Sequence, residues 1–195
     1  MFRYKLFDNS LNDIKKVKET ILLNRGVKDT KKYLKTTDND EFTYDLLDNI
    51  EEGIKLLLNA IKEDKDIYLI VDCDVDGDVA SAKMYIYIVN VLKYTKIKYI
   101  IHTKKQHGLS YDIIEKIGDV QNALIIIPDA GTNDVEECKK LKEQNNNILV
   151  LDHHEKESDN PYAIIINNQL CGYPNKALCG AGIVYKFLQA LDDEL

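Results

Sequence analysis

The sequence predicts an α/β fold: a doubly wound, mainly parallel five-stranded sheet with helices on both faces, preceded by a helical N-terminal segment. Three observations predict it. Short apolar runs of strand length recur from residue 66 onward, helical stretches separate them, and the runs are almost continuously apolar, as strands covered on both faces must be. Upstream, apolar residues recur at helical spacing from Ser10 to Leu23 and again from Tyr44 to Ile61, the second time as Leu46, Leu47, Ile50, Ile54, Leu57, Leu58 and Ile61. Residues 1–62 therefore read as the helical segment and 63–195 as the sheet domain. The strand runs are Ile67–Val71, Ile97–Ile101, Ala123–Ile127, Ile148–Leu151 and Ala163–Ile166. Helices are expected between and after them at about 79–93, 110–117, 133–144 and 181–192.

Composition narrows the function. The 195 residues carry 26 Lys+Arg against 33 Asp+Glu, a formal charge of −7, and 45% are hydrophobic, so disordered and fibrous classes are excluded. No apolar run approaches the roughly 18 to 20 residues of a membrane-spanning helix, and the opening MFRYKLFDNSLNDIKK lacks a signal peptide's apolar stretch. A cytoplasmic protein is expected. The acidic balance argues against a module that simply coats nucleic acid, yet it suits an enzyme whose carboxylates hold metal ions that then meet phosphate. Cys73, Cys138, Cys171 and Cys179 show no C-x-x-C spacing and read as reduced thiols.

In doubly wound sheets ligands bind beyond the carboxyl ends of the strands. After the first strand comes VDCDVDGD, which sets Asp72, Asp74, Asp76 and Asp78 in what reads as one short loop. Two carboxylates about 4 Å apart repel by on the order of 4 kcal/mol at an effective dielectric of 20, so the cluster calls for a cation or full solvation. Mg²⁺ or Mn²⁺ fits hard oxygen ligands. An EF-hand loop is excluded, because its twelfth position would be Lys83 and the segment follows a strand. A dehalogenase-type phosphatase, with an Asp nucleophile in D-x-D, stays open on this loop alone. The third strand ends in IIIPDAGTND, which places Asp129, and the fourth in VLDHHE, which delivers Asp152, His153 and His154 to the same edge. Imidazole beside carboxylate suits Mn²⁺ or a comparable ion, and the dehalogenase reading does not call for paired histidines.

Four ordered segments, VDCDVDGDVASA at 71–82, IPDAGTND at 127–134, LDHHE at 151–155 and ALCGAGIVYKF at 177–187, resemble the DHH phosphoesterase superfamily, and within it the RecJ single-strand exonucleases. LLNRGVKDTKKYLK at 22–35 and KKQHGLS at 104–110 resemble further RecJ segments. The resemblance implies a two-ion centre. Asp72, Asp74 and Asp129 would hold one Mn²⁺ or Mg²⁺, and Asp76, Asp129 and His153 the other, with Asp129 bridging. His154 would meet the scissile phosphate or assist the metal shell, and Asp152 would orient the histidines from behind. Gly180 and Gly182 would bring backbone amides to a phosphate, and Lys104, Lys105 and His107 would contact phosphate near the entering end.

The implied reaction is two-metal hydrolysis of single-stranded DNA from the 5′ end, releasing nucleoside 5′-monophosphates in DNA repair or recombination. Family members carry a further metal-ligating Asp and a DHH-associated domain beyond the last helix. Asp192 and Asp193 lie at that helix's end and do not replace the ligand, so the chain is expected to be a fragment of a longer nuclease, or a short protein completed by a partner chain. Its own activity would then be low. The rival readings are a DHH phosphodiesterase for short oligonucleotides or cyclic dinucleotides, and a catalytically silent DHH scaffold.

Overall fold

The computed structural model describes residues 14–103 and 105–195, and these divide after Glu41 into two compact units. In the first, helix α1 (Ile14–Asn24) and the single turn α2 (Thr30–Tyr33) are described, with Asp29 accepting the Lys32 amide to cap α2. The expected helix start at Ser10 lies outside the described residues.

The second unit begins with a short 3-10 turn (Tyr44–Leu46) and helix α3 (Ile50–Lys62) where the sequence predicts one helix from Tyr44 to Ile61. The break has a local cause: Leu47 is extended at ψ 126°, and Asn49 takes the left-handed region at φ 65°, while its side-chain amide donates to the Ile165 carbonyl. Because α3 buries Ile50, Ile54, Leu57 and Ala60 against the sheet, it belongs with residues 42–195 and not with the helices before it.

The remaining elements alternate. They run β1 (Ile67–Val71), α4 (Val75–Asn90), β2 (Ile97–Ile101), α5 (Tyr111–Ile117), β3 (Leu124–Pro128), α6 (Val135–Glu143), β4 (Asn147–Asp152), β5 (Ile164–Asn167) and α7 (Gly180–Glu194). All strand pairs are parallel in the order β2-β1-β3-β4-β5. The period-2 geometry of strands divides the apolar runs between two cores. Ile67, Leu69, Leu124, Ile126, Leu149, Leu151 and Ile166 face α3, α4 and α7, whereas Ile70, Ile125, Ile127, Ile148, Val150 and Ile165 face α5 and α6.

The strand order reverses between β1 and β3. At such a switch point the following segments leave in opposite directions and open a crevice beyond the strand ends. Asp72 follows β1 and Asp129 follows β3, so the two meet at that crevice. No described helix is long and apolar enough to cross a membrane.

Candidate metal centre

The acidic segment after β1 is a helix start, not a loop. Asp74 is the N-cap of α4, its carboxylate accepting the amides of Asp76 at 2.9 Å and Gly77 at 3.1 Å, and Asp76 and Asp78 fall in the first helical turn. Carboxylates favour that end of a helix, where free N–H groups and the macrodipole present positive charge. Asp72 is buried at 2% exposure and accepts the Gly108 amide at 3.0 Å and the His107 Nδ1 at 2.7 Å.

Asp129 stands at the focus. Its backbone turns sharply at φ 67°, a region Asp tolerates better than most residues, and the side chain is 1% exposed. Its Oδ1 makes no hydrogen bond, although His153 Nε2 lies 3.1 Å away. Burial first, then the charges of Asp76, Asp74, Asp72 and Asp152, push the Asp129 carboxyl up to about 8. An orphaned buried oxygen among carboxylates is what a bound cation resolves.

Two groups of ligand atoms converge there, each with its atoms within 4.8 Å of one another: Asp72, Asp74 and Asp129, and Asp129, His153 and His154. The residues present therefore fit divalent ions with oxygen and imidazole ligands. Asp76 also has partners within the protein. Its two oxygens accept the Gly180 amide at 2.8 Å and the Ala181 amide at 2.9 Å, which ties α4 to the start of α7, and its Oδ2 lies 3.8 Å from His153 Nε2. Burial acts to raise the Asp76 carboxyl, but the Ala181 amide, the Cys179 thiol and the Gly180 amide outweigh it and hold the carboxyl below its ordinary range.

The amides expected to meet phosphate are thus taken. Gly180 donates to Asp76, and Gly182 donates to the Cys179 carbonyl. What Gly180 contributes is room, since a Cβ there would stand 2.0 Å from Asp129 Oδ1. His107 holds Asp72 instead of standing free for an entering strand, Lys105 is exposed, and Lys104 lies outside the described residues.

Asp152 supports the paired histidines. Its Oδ1 accepts the His153 and His154 amides and lies 2.7 Å from His154 Nδ1, while Oδ2 accepts the Thr132 amide. Burial acts to raise the Asp152 carboxyl, but the bonds from His154 and Thr132 hold it down at about 2. In return the Asp152 hydrogen bond lifts the His154 imidazole to about 9. Two residues that the sequence reading passed over complete this support: Asn167, at the end of β5, donates to Thr132 Oγ1 and to the His154 carbonyl, both at 2.9 Å. Their only sequence signal was position, a polar residue at the carboxyl end of an apolar run. Asp152→Ala is expected to weaken Mn²⁺ binding, measured by calorimetry, by about 10- to 100-fold, the usual cost of removing a residue that orients a ligand.

The chain is similar to known proteins. A Bacillus subtilis protein named as an SPbeta prophage-derived single-strand DNA-specific exonuclease, YorK, is 38% identical over 177 residues, covering 90% of this chain and 30% of that protein. The single-stranded-DNA-specific exonuclease RecJ of Bacillus subtilis is 29% identical over 183 residues, covering 90% of this chain and 23% of RecJ. The chain therefore spans less than a third of the length of either relative. The crystal structure of RecJ in complex with Mn²⁺ from Thermus thermophilus shares the fold, with a TM-score of 0.61 at 22% identity, over 76% of this chain and 21% of that one. The model of the DHH family, N-terminal domain, matches residues 66–195, from the start of the sheet to the last helix, and the chain belongs to the DHH family.

Proposed function

We propose that the chain is the catalytic module of a RecJ-like 5′→3′ single-strand DNA exonuclease that uses two Mn²⁺ or Mg²⁺ ions, releases nucleoside 5′-monophosphates, and serves DNA repair or recombination in the cytoplasm. The observation that carries this reading is the sharing of Asp129 between the two convergent groups, Asp72 and Asp74 on one side and His153 and His154 on the other. Asp129 would bridge the ions, and Asp76 would stand beside the second while fixing α7 against Asp129. When bound, a pair of divalent ions supplies the Lewis acidity and water activation for in-line phosphodiester hydrolysis.

The chain's own residues do the rest. Asp72 arrives oriented by His107 and Gly108, and Asp74 by the first turn of α4. His154 is anchored through Nδ1 to Asp152, which leaves Nε2 to meet a phosphate oxygen or an ion. The relatives named as single-strand DNA exonucleases support the substrate class.

A second reading has one observation in its favour. A charge of −7 provides little basic surface for a long strand, which suits a phosphodiesterase of short oligonucleotides or cyclic dinucleotides. On the first reading, a further domain or a partner chain grips the strand. The test is a substrate-length series in Mn²⁺, from dinucleotides to long 5′-labelled single strands and duplex. Mononucleotides released from single strands, with duplex spared and EDTA abolishing release, are expected. Cleavage of dinucleotides with long strands ignored would replace the first reading by the second, and silence toward all substrates despite Mn²⁺ binding would overturn both for this chain.

A further inference from the structure

Asp72 also belongs to a donor set of different chemistry. We propose that Asp72, Cys73 and His107 form a separate site for a borderline-soft transition ion of the Zn²⁺ class. One ligand atom from each of the three lies within 4.8 Å of the others. Cys73 Sγ is 3.8 Å from both ring nitrogens of His107, and His107 Nδ1 is 2.7 Å from Asp72 Oδ2. Tetrahedral zinc, with Zn–S near 2.3 Å and Zn–N and Zn–O near 2.0 to 2.1 Å, sets sulfur and nitrogen about 3.6 Å apart and nitrogen and oxygen about 3.3 Å apart. The sulfur–nitrogen spacing is nearly there already, and the nitrogen–oxygen contact needs only to open as an ion replaces the shared proton.

Ligand chemistry separates this set from the acidic centre. The thiolate is the difference: a soft sulfur ligand favours Zn²⁺ or Co²⁺ over Mn²⁺ and Mg²⁺, whereas the carboxylates and imidazoles of the acidic centre also suit Mn²⁺. The side chains are also differently disposed toward solvent: Asp72 is buried, Cys73 is partly exposed, and His107 is 53% exposed, so an ion can enter and keep an open fourth position.

The loop that carries His107 is held from three directions. Gly108 donates to Asp72, Leu109 donates to Asp134 Oδ2 at 2.7 Å, and the Leu109 side chain is buried in the core under α5 and α6. Gly108 sits at φ 62° with Asp134 Oδ2 2.2 Å from where a Cβ would be, so the loop passes Asp134 closely and in a conformation that favours glycine. A donor on a loop fixed in this way loses little further freedom on binding an ion.

Asp72 belongs to both donor sets, so Zn²⁺ here would draw it from the acidic centre and oppose Mn²⁺-dependent hydrolysis. That consequence rests on the proposed function; the site itself does not. The test is Co²⁺ titration of the 195-residue chain, kept reduced, followed by the near-ultraviolet thiolate-to-cobalt charge-transfer band. The wild type should develop the band on Co²⁺ addition and lose it to added Zn²⁺. Cys73→Ser should abolish it, His107→Ala should weaken Co²⁺ binding at least tenfold, and Cys179→Ser, which alters the thiol beside Asp76, should leave it intact. Circular dichroism and Mn²⁺ affinity of Cys73→Ser should match the wild type.

Absence of the band in the folded wild type, or its loss in Cys179→Ser in place of Cys73→Ser, would overturn the site. Loss of Mn²⁺ affinity along with the band in Cys73→Ser would make Cys73 part of the acidic centre and overturn its separateness. A chain that cleaves no strand in Mn²⁺ but still shows the band would retain the site and lose only the exonuclease reading.

Discussion

Gly180→Ala is expected to cost the chain its Mn²⁺ affinity. An added Cβ would stand 2.0 Å from Asp129 Oδ1, 2.5 Å from its Cγ and 2.6 Å from its Cβ, far inside contact distance, so either α7 or the carboxylate must move. If α7 retreats, the Gly180 and Ala181 amides leave Asp76, and two hydrogen bonds to a charged group, each worth about 1.5 to 3 kcal/mol, are lost. If Asp129 turns away, both convergent groups lose the ligand they share. Calorimetry should show affinity reduced at least a hundredfold, with a stability loss of about 1 to 3 kcal/mol from overpacking. Gly182→Ala supplies the contrast. Its Cβ would strike the end of the Leu178 side chain at 2.5 Å and no residue of either ligand group, so it should lower stability and leave Mn²⁺ affinity within a few-fold. Equal loss in both variants would assign the effect to the general docking of α7.

The same contact shows where sequence reading stopped. Strands were legible because parallel strands covered on both faces must be apolar throughout, and Ile67–Val71 and Ile97–Ile101 were placed to the residue. The edge carrying Asp72, Asp129 and the paired histidines followed from strand ends alone. Helix α4 was expected to begin near residue 79, after a short loop, yet it begins at Val75 although Val75-Asp-Gly-Asp has poor helix propensity. There the free amides of a first turn outweigh propensity, and Asp74 satisfies two of them. The resemblance implies Asp76 as a metal ligand, but its bond to Gly180 spans 104 residues, which no local pattern encodes. His107, implied as a phosphate contact by the resemblance, pairs with Asp72, 35 residues away in sequence, which no local pattern encodes either.

Asp129→Asn is expected to move stability and metal binding in opposite directions. In EDTA the wild-type carboxyl is buried among like charges and pushed up to about 8 by burial and then by Asp76, Asp74, Asp72 and Asp152. Each unit of such a displacement is worth about 1.4 kcal/mol against the folded state. Asparagine keeps the size and is neutral without taking up a proton, and it tolerates φ 67° as well as aspartate does, so no backbone strain confounds the comparison. The variant should therefore unfold at higher urea than the wild type in EDTA, by on the order of 1 kcal/mol or more. Mn²⁺ should reverse the order. The ion stabilises the wild type by about 2.7 kcal/mol at a hundredfold its Kd and by about 1.4 kcal/mol more for each further tenfold, so the order inverts once Mn²⁺ is high enough, while a neutral amide at the position common to both ligand groups leaves the variant with little gain. Urea unfolding of both proteins in EDTA and in Mn²⁺ checks the crossing. A variant less stable than the wild type in EDTA would make Asp129 a structural residue, whereas a crossing would mean that the fold tolerates a buried, repelled carboxylate because a cation completes it.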